Sequence, residues 1–141
     1  MKTDNSLEEF LKLEEEEDLH RFSTYVGFAR RVSVLKRDFV RMLTRMNKQG
    51  HTVIGFGASA KGISLMNYCG VKHPMISEII DDTPAKQGRF TPGSNIKIVK
   101  EVDSDPDYIV LLAWNFAKEI MKKTRKYRAR YIVPIPKVKI L

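Results

Sequence analysis

The sequence predicts an α/β domain with three layers, α/β/α, around a mostly parallel sheet and preceded by a long N-terminal helix. Three observations carry this. Apolar residues recur at helical spacing across Phe22, Val26, Ala29, Val32, Leu35, Phe39, Met42, Leu43 and Met46. After Gly50, short and nearly continuous apolar runs alternate with longer amphipathic stretches, the pattern of strands buried on both faces by helices. One such run, Thr52-Val53-Ile54, leads into Gly55-Phe56-Gly57-Ala58-Ser59-Ala60-Lys61-Gly62, the order of a strand, a tight turn and a helix N-terminus.

Taken in order, Ser6 and Glu9 match a capping box ahead of Phe10 and Leu11, so residues 1–18 read as an acidic arm or short helix. A long helix follows over 19–49, with Gly50 as its stop. The α/β core occupies 51–141. Its predicted strands are 52–56, 76–80, 96–99, 108–114, 131–135 and 138–141, and its helices 60–69 and 116–126. Asn115 reads as the N-cap of the second helix, and Asp82 or Thr83 as the cap of the turn before Pro84. The segment 83–95, with two prolines and two glycines, is a long loop of the kind that carries function.

At 141 residues the chain fits one domain, and 43% hydrophobic with 30% charged residues describes a folded rather than a disordered protein. No apolar run is long enough for a membrane helix, and the acidic start shows no signal peptide. The single cysteine, Cys69, reads as a buried, inert thiol, and a cytoplasmic setting is expected. His20, His51 and His73 stand apart, with no ligand spacing between them. The net charge of +8 is uneven: residues 1–20 carry −6 and residues 21–141 carry +14. A basic body attracts anions, whether a phosphorylated small molecule, an acidic partner or nucleic acid. The acidic run Glu14–Asp18 reads either as a solvated face or as an arm that docks on a basic body, its own or a neighbour's.

Gly55, Gly57 and Gly62 form G-x-G-x(4)-G, one residue longer than the dinucleotide fingerprint, and no Walker A loop is present. The local reading is an anion cradle. The backbone amides of the Gly57–Lys61 turn and the hydroxyl of Ser59 would face a diphosphate, with Lys61 as cation. A plain strand-to-helix turn is the competing reading. Asp81, at the end of the second strand, stands where an acid holds ribose hydroxyls in dinucleotide folds. Lys86 and Arg89 lie in the long loop, where they clamp a diphosphate or are simply solvated. The turn at 55–61, Asp81-Asp82, Trp114-Asn115 and Pro134-Ile135-Pro136 all fall at predicted strand ends and so could share one rim.

Three blocks in order resemble one family: Gly55–Gly62 with Leu65, Asn67, Tyr68, Cys69 and Gly70; Asp81-Asp82-Thr83-Pro84-Ala85-Lys86-Gln87-Gly88-Arg89-Phe90-Thr91-Pro92-Gly93; and Leu111-Leu112-Ala113-Trp114-Asn115-Phe116-Ala117-Lys118-Glu119-Ile120. The resemblance is to the C-terminal domain of the S-adenosylmethionine-dependent sugar C-methyltransferases, over residues 19–141. It implies a Rossmann-like domain that holds a nucleotide-diphosphate sugar, with Ser59, Lys61 and Asn67 lining the cleft, Lys86 and Arg89 contributed by the loop and Asn115 by the third block. It also implies that S-adenosylmethionine binds a separate domain, in cis or in trans, and that this domain binds no cofactor itself. The chain lacks the family's zinc-cluster cysteines and a second glycine-rich turn for S-adenosylmethionine. As a fragment of a longer enzyme or a stand-alone domain, it is expected not to methylate unaided. The alternative expectation is a non-enzymatic module that pairs with a methyltransferase chain or forms a homodimer. Nucleic-acid binding ranks last, because the basic residues are spread over helix and loops.

Overall fold

A computed structural model describes residues 5–141, and the chain divides into two units after Val34. The first unit holds α1 (Ser6–Glu16) and the opening turns of α2 (Phe22–Lys48). Asn5, not Ser6, is the N-cap of α1. None of the described residues up to Val34 is buried, so this unit has no core of its own.

The second unit begins with the last turns of α2. It continues with β1 (Val53–Phe56), α3 (Ala60–Cys69), β2 (Glu78–Ile80), β3 (Lys97–Val99), β4 (Tyr108–Leu111), α4 (Ala117–Lys123), β5 (Arg130–Val133) and β6 (Lys139–Ile140). The strands form one six-stranded sheet in the order β3-β2-β1-β4-β5-β6. All neighbours are parallel except β6, which runs antiparallel to β5. The α/β class and the mostly parallel Rossmann-like sheet with its long preceding helix are as the sequence predicts.

The two central strands, β1 and β4, are buried along their whole length, so each packs against a core on both faces. Val53, Ile79, Val110 and Ile132 point to one side, where Phe39, Leu43 and Met46 of α2 and Met66 of α3 pack. Ile54, Phe56, Ile80, Ile109 and Leu111 point to the other, against Ile120 of α4 and Tyr127. Cys69 is buried in the first of these cores, and burial pushes its thiol up despite the nearby Lys36 ammonium.

Two local expectations are corrected. The fourth strand stops at Leu111, and Trp114–Phe116 form a 3-10 turn. Helix α4 therefore starts at Ala117 with Phe116 at its N-cap, and Asn115 caps nothing. Of the two caps offered for the turn before Pro84, Thr83 takes the place and Asp82 does not: the Thr83 carbonyl accepts the Lys86 amide at 3.0 Å, and its own amide donates to the Asp81 carboxylate at 2.9 Å. No helix among the described residues is long and apolar enough to cross a membrane.

Candidate functional site

Reversal of the strand order between β1 and β4 sends their following helices to opposite faces and opens a gap at the carboxyl ends of these two strands. In open α/β sheets this is where ligands enter. A crevice of about 270 Å³ occupies that gap, lined by Ser59, Ala60 and Lys61 on one side and by Leu112–Phe116 on the other.

Two glycines set how closely these walls approach. Gly57 sits at φ +86°, and a methyl group there would lie 2.8 Å from Ala113 Cβ. A methyl group at Gly62 would lie 2.7 Å from Leu112 Cβ and 2.8 Å from the Leu112 carbonyl oxygen. The glycine pattern therefore serves turn geometry and helix-to-strand contact. Gly55 is buried inside β1.

The turn is held by its own chain. The Gly57 amide donates to the Ile80 carbonyl at 2.8 Å and the Ser59 amide to the Gly57 carbonyl at 2.7 Å. The buried Ala58 amide donates to Asp81 Oδ2 at 2.7 Å. Ser59 is the N-cap of α3: its Oγ accepts the Gly62 amide and donates to the Leu112 carbonyl, each at 3.1 Å. The Gly57, Ala58 and Ser59 amides, the first part of the cradle expected over the Gly57–Lys61 turn, are thus already used. The Ala60 and Lys61 amides differ. At the first two positions of α3 they have no intrahelical acceptor, and among the described residues none takes them up. Lys61 is exposed beside them, and its ammonium has no carboxylate partner among the described residues.

Asp81 and Lys86 belong to the scaffold. The Lys86 ammonium lies 3.1 Å from Asp81 Oδ2 and donates to the Ala58 carbonyl at 3.0 Å. Burial opposes ionisation of Asp81, yet hydrogen bonds from Thr83, Lys86 and the Ala58 amide outweigh it and hold the carboxyl below its usual range. Asp82 turns outward and pairs with Lys123 at the edge of a second hollow across Gly57 and Ala113. Asn67 is exposed on α3 and donates to the Pro92 carbonyl at 3.1 Å, anchoring the long loop. Arg89 is exposed on that loop and does not line the crevice.

Of the residues singled out in the sequence, Ser59, Lys61 and Asn115 meet at the crevice. Ala58, Asp81 and Lys86 stand behind its wall, while Asn67 and Arg89 lie outside it. Sequence reasoning puts Trp114 on the shared rim but gives neither it nor the exposed Phe116 a part in holding a ligand. The available signal was their place directly after the central strand β4.

The sheet order and the crevice at its reversal define an open, mainly parallel α/β domain of Rossmann-like architecture. A family model described as the C-methyltransferase C-terminal domain matches residues 1–136. A C-methyltransferase of Streptomyces niveus, NovU, is 34% identical over 139 residues, covering 94% of this chain and 33% of that protein. The chain belongs to the C-methyltransferase C-terminal domain family. It spans about a third of the length of the curated relative it matches.

Proposed function

We propose that this domain holds a nucleotide-diphosphate sugar in the crevice between β1 and β4, while a separate S-adenosylmethionine domain, in cis or in trans, transfers the methyl group to a sugar carbon. The observation that carries this reading is the pairing of unused donors with an aromatic wall. The Ala60 and Lys61 amides and the Lys61 ammonium open onto a cavity walled by Trp114 and Phe116. A diphosphate suits the first, since an anion at a helix N-terminus gains from both the unpaired amides and the helix dipole. A ring, of the base or the sugar, suits the second. Asn115, exposed between the two aromatic residues, offers an amide to hydroxyl or carbonyl groups.

In this role the domain contributes positioning rather than chemistry. Fixing the sugar next to a methyl donor held elsewhere converts an encounter into an oriented reaction. The test is calorimetric titration of the chain with a deoxythymidine-diphosphate sugar. Binding is expected, and Lys61→Ala weakens it by roughly 1–3 kcal/mol, the scale of a lost charge-assisted contact. S-adenosylmethionine titrated in parallel gives no heat. Absence of binding to nucleotide-diphosphate sugars at millimolar concentration would overturn the reading.

A further inference from the structure

The crevice has a neighbour. A second hollow, of about 280 Å³, lies over the carboxyl ends of β1, β2 and β4, with Gly57, Asp82, Thr83, Glu119 and Lys123 in its lining. It shares two walls with the crevice, Ala113 and the exposed Phe116. The turn after β1 also runs along both, with Gly57 on the hollow and Ser59–Lys61 on the crevice. Glycine at 57 keeps the shared wall clear, since a methyl group there would lie 2.8 Å from Ala113 Cβ.

Size argues that one ligand uses both cavities. Small-molecule sites commonly enclose roughly 300–1,000 Å³. The crevice alone, at about 270 Å³, falls below that range. A nucleotide-diphosphate sugar brings a base, a ribose, a diphosphate and a second sugar ring. Charge orders these parts. The crevice offers Lys61 and the two unpaired amides, and no carboxylate lines it. The hollow carries the Asp82–Lys123 pair and the carboxylate of Glu119, which pairs with no cation among the described residues. A diphosphate is repelled there and attracted to the crevice. The pair sets a carboxylate acceptor beside an ammonium donor, which together satisfy neighbouring hydroxyl groups of a sugar ring. Both side chains are more than half exposed, so parting them for a ligand costs little.

Given a nucleotide-diphosphate sugar at the crevice, the reading on which this rests, we infer that the ligand lies across Phe116 in one orientation. The base stacks on Trp114 and the diphosphate sits on the α3 amides and Lys61, both in the crevice. The sugar ring passes Phe116 into the hollow, where its hydroxyls meet Asp82 and Lys123. These two residues are then the determinants of sugar recognition, and Lys61 that of the diphosphate.

Calorimetric titration of the full chain with two probes, deoxythymidine diphosphate and deoxythymidine-diphosphate glucose, separates the cavities. The parent is expected to bind the sugar-bearing probe about tenfold tighter, the scale of one hydrogen bond to a charged group. Asp82→Ala and Lys123→Ala each remove most of that preference and leave the affinity for deoxythymidine diphosphate unchanged. Because both side chains are exposed, thermal unfolding of the two variants followed by circular dichroism should match the parent. A preference for the sugar-bearing probe that survives both substitutions overturns the inference. So does a parent that binds the two probes equally. An Asp82→Ala chain that loses affinity for deoxythymidine diphosphate itself also overturns it, by seating the nucleoside in the hollow. If the parent binds neither probe, the reading of the crevice fails first and the inference falls with it.

Discussion

Asp81 Oδ2 accepts the Ala58 amide at 2.7 Å, joining the end of β2 to the turn after β1 across the sheet. The same carboxylate holds Thr83 and Lys86, and Lys86 returns to the Ala58 carbonyl, so one buried acid fixes the turn, the loop and the loop's lysine together. Replacing it removes charge from a site built to receive it. Asp81→Asn is expected to cost about 2–3 kcal/mol of stability, because the hydrogen bonds to a charged acceptor weaken and a buried donor loses its partner. Lys86→Met should cost less, about 1 kcal/mol or under, since Lys86 is part-exposed and the Asp81 carboxylate keeps its two amides. Urea denaturation of both variants beside the parent measures the difference, and equal losses would refute the ordering.

The same carboxylate predicts an acid limb. Burial acts to raise its pKa, and the hydrogen bonds from Thr83, Lys86 and Ala58 more than reverse that. With the folded pKa below the unfolded value of about 3.9, its stabilising contribution is complete above that value. It is lost as pH falls through the folded pKa. Unfolding free energy measured from about pH 6 down to pH 2 should therefore decline below about pH 4, with a shallower decline in Asp81→Asn. Identical slopes in the two proteins would show that other carboxylates set the acid limb.

Gly62 supplies a prediction opposed to helix propensity. Alanine is the better helix former by about 1 kcal/mol, but a methyl group here meets Leu112 Cβ at 2.7 Å and the Leu112 carbonyl oxygen at 2.8 Å. Backbone cannot move aside as a flexible side chain does, so overpacking wins and Gly62→Ala is expected to destabilise by roughly 1–3 kcal/mol. Thermal denaturation followed by circular dichroism decides it. A gain in stability would mean that α3 can lift from β4 at little cost.

The three blocks that carried the sequence reading are the three segments that meet around the β1–β4 gap, which is why the fold and the place of the crevice were legible. Successive strand residues point to opposite faces, so in a run apolar on both sides Val53 and Ile54 enter different cores. The division of labour inside the site was not legible. Asp81 and Lys86 look like ligand-binding residues in sequence because the same chemistry that grips a phosphate or a ribose also grips backbone amides and carbonyls. Only the 2.7 Å contact between Ala58 and Asp81 separates the two roles. Asn115 was read as a cap because Asn favours that place, but the 3-10 turn at Trp114–Phe116 carries the helix start past it. Trp114 could be placed on the rim from its position at a strand end, but its part as a wall of the crevice depends on the reversal of strand order between β1 and β4, which the sequence does not display.

Trp114 gives the crevice its own reporter. It is the one tryptophan of the chain and is half-buried in the wall opposite Lys61. A nucleotide-diphosphate sugar seated there covers the indole, so its emission should shift or quench on titration and become less accessible to acrylamide. Lys61→Ala should move the midpoint of that titration to higher ligand concentration, by roughly fivefold to a hundredfold at 1–3 kcal/mol, while leaving the final change in emission intact, because the ring still meets the same wall. Trp114→Phe keeps an aromatic face and should retain calorimetric binding, whereas Trp114→Ala should weaken it by about 1 kcal/mol, the scale of one aromatic stacking contact. A titration in which nucleotide sugar binds by calorimetry with no change at Trp114 would move the ligand out of this crevice, towards the hollow across Gly57 where Asp82 pairs with Lys123.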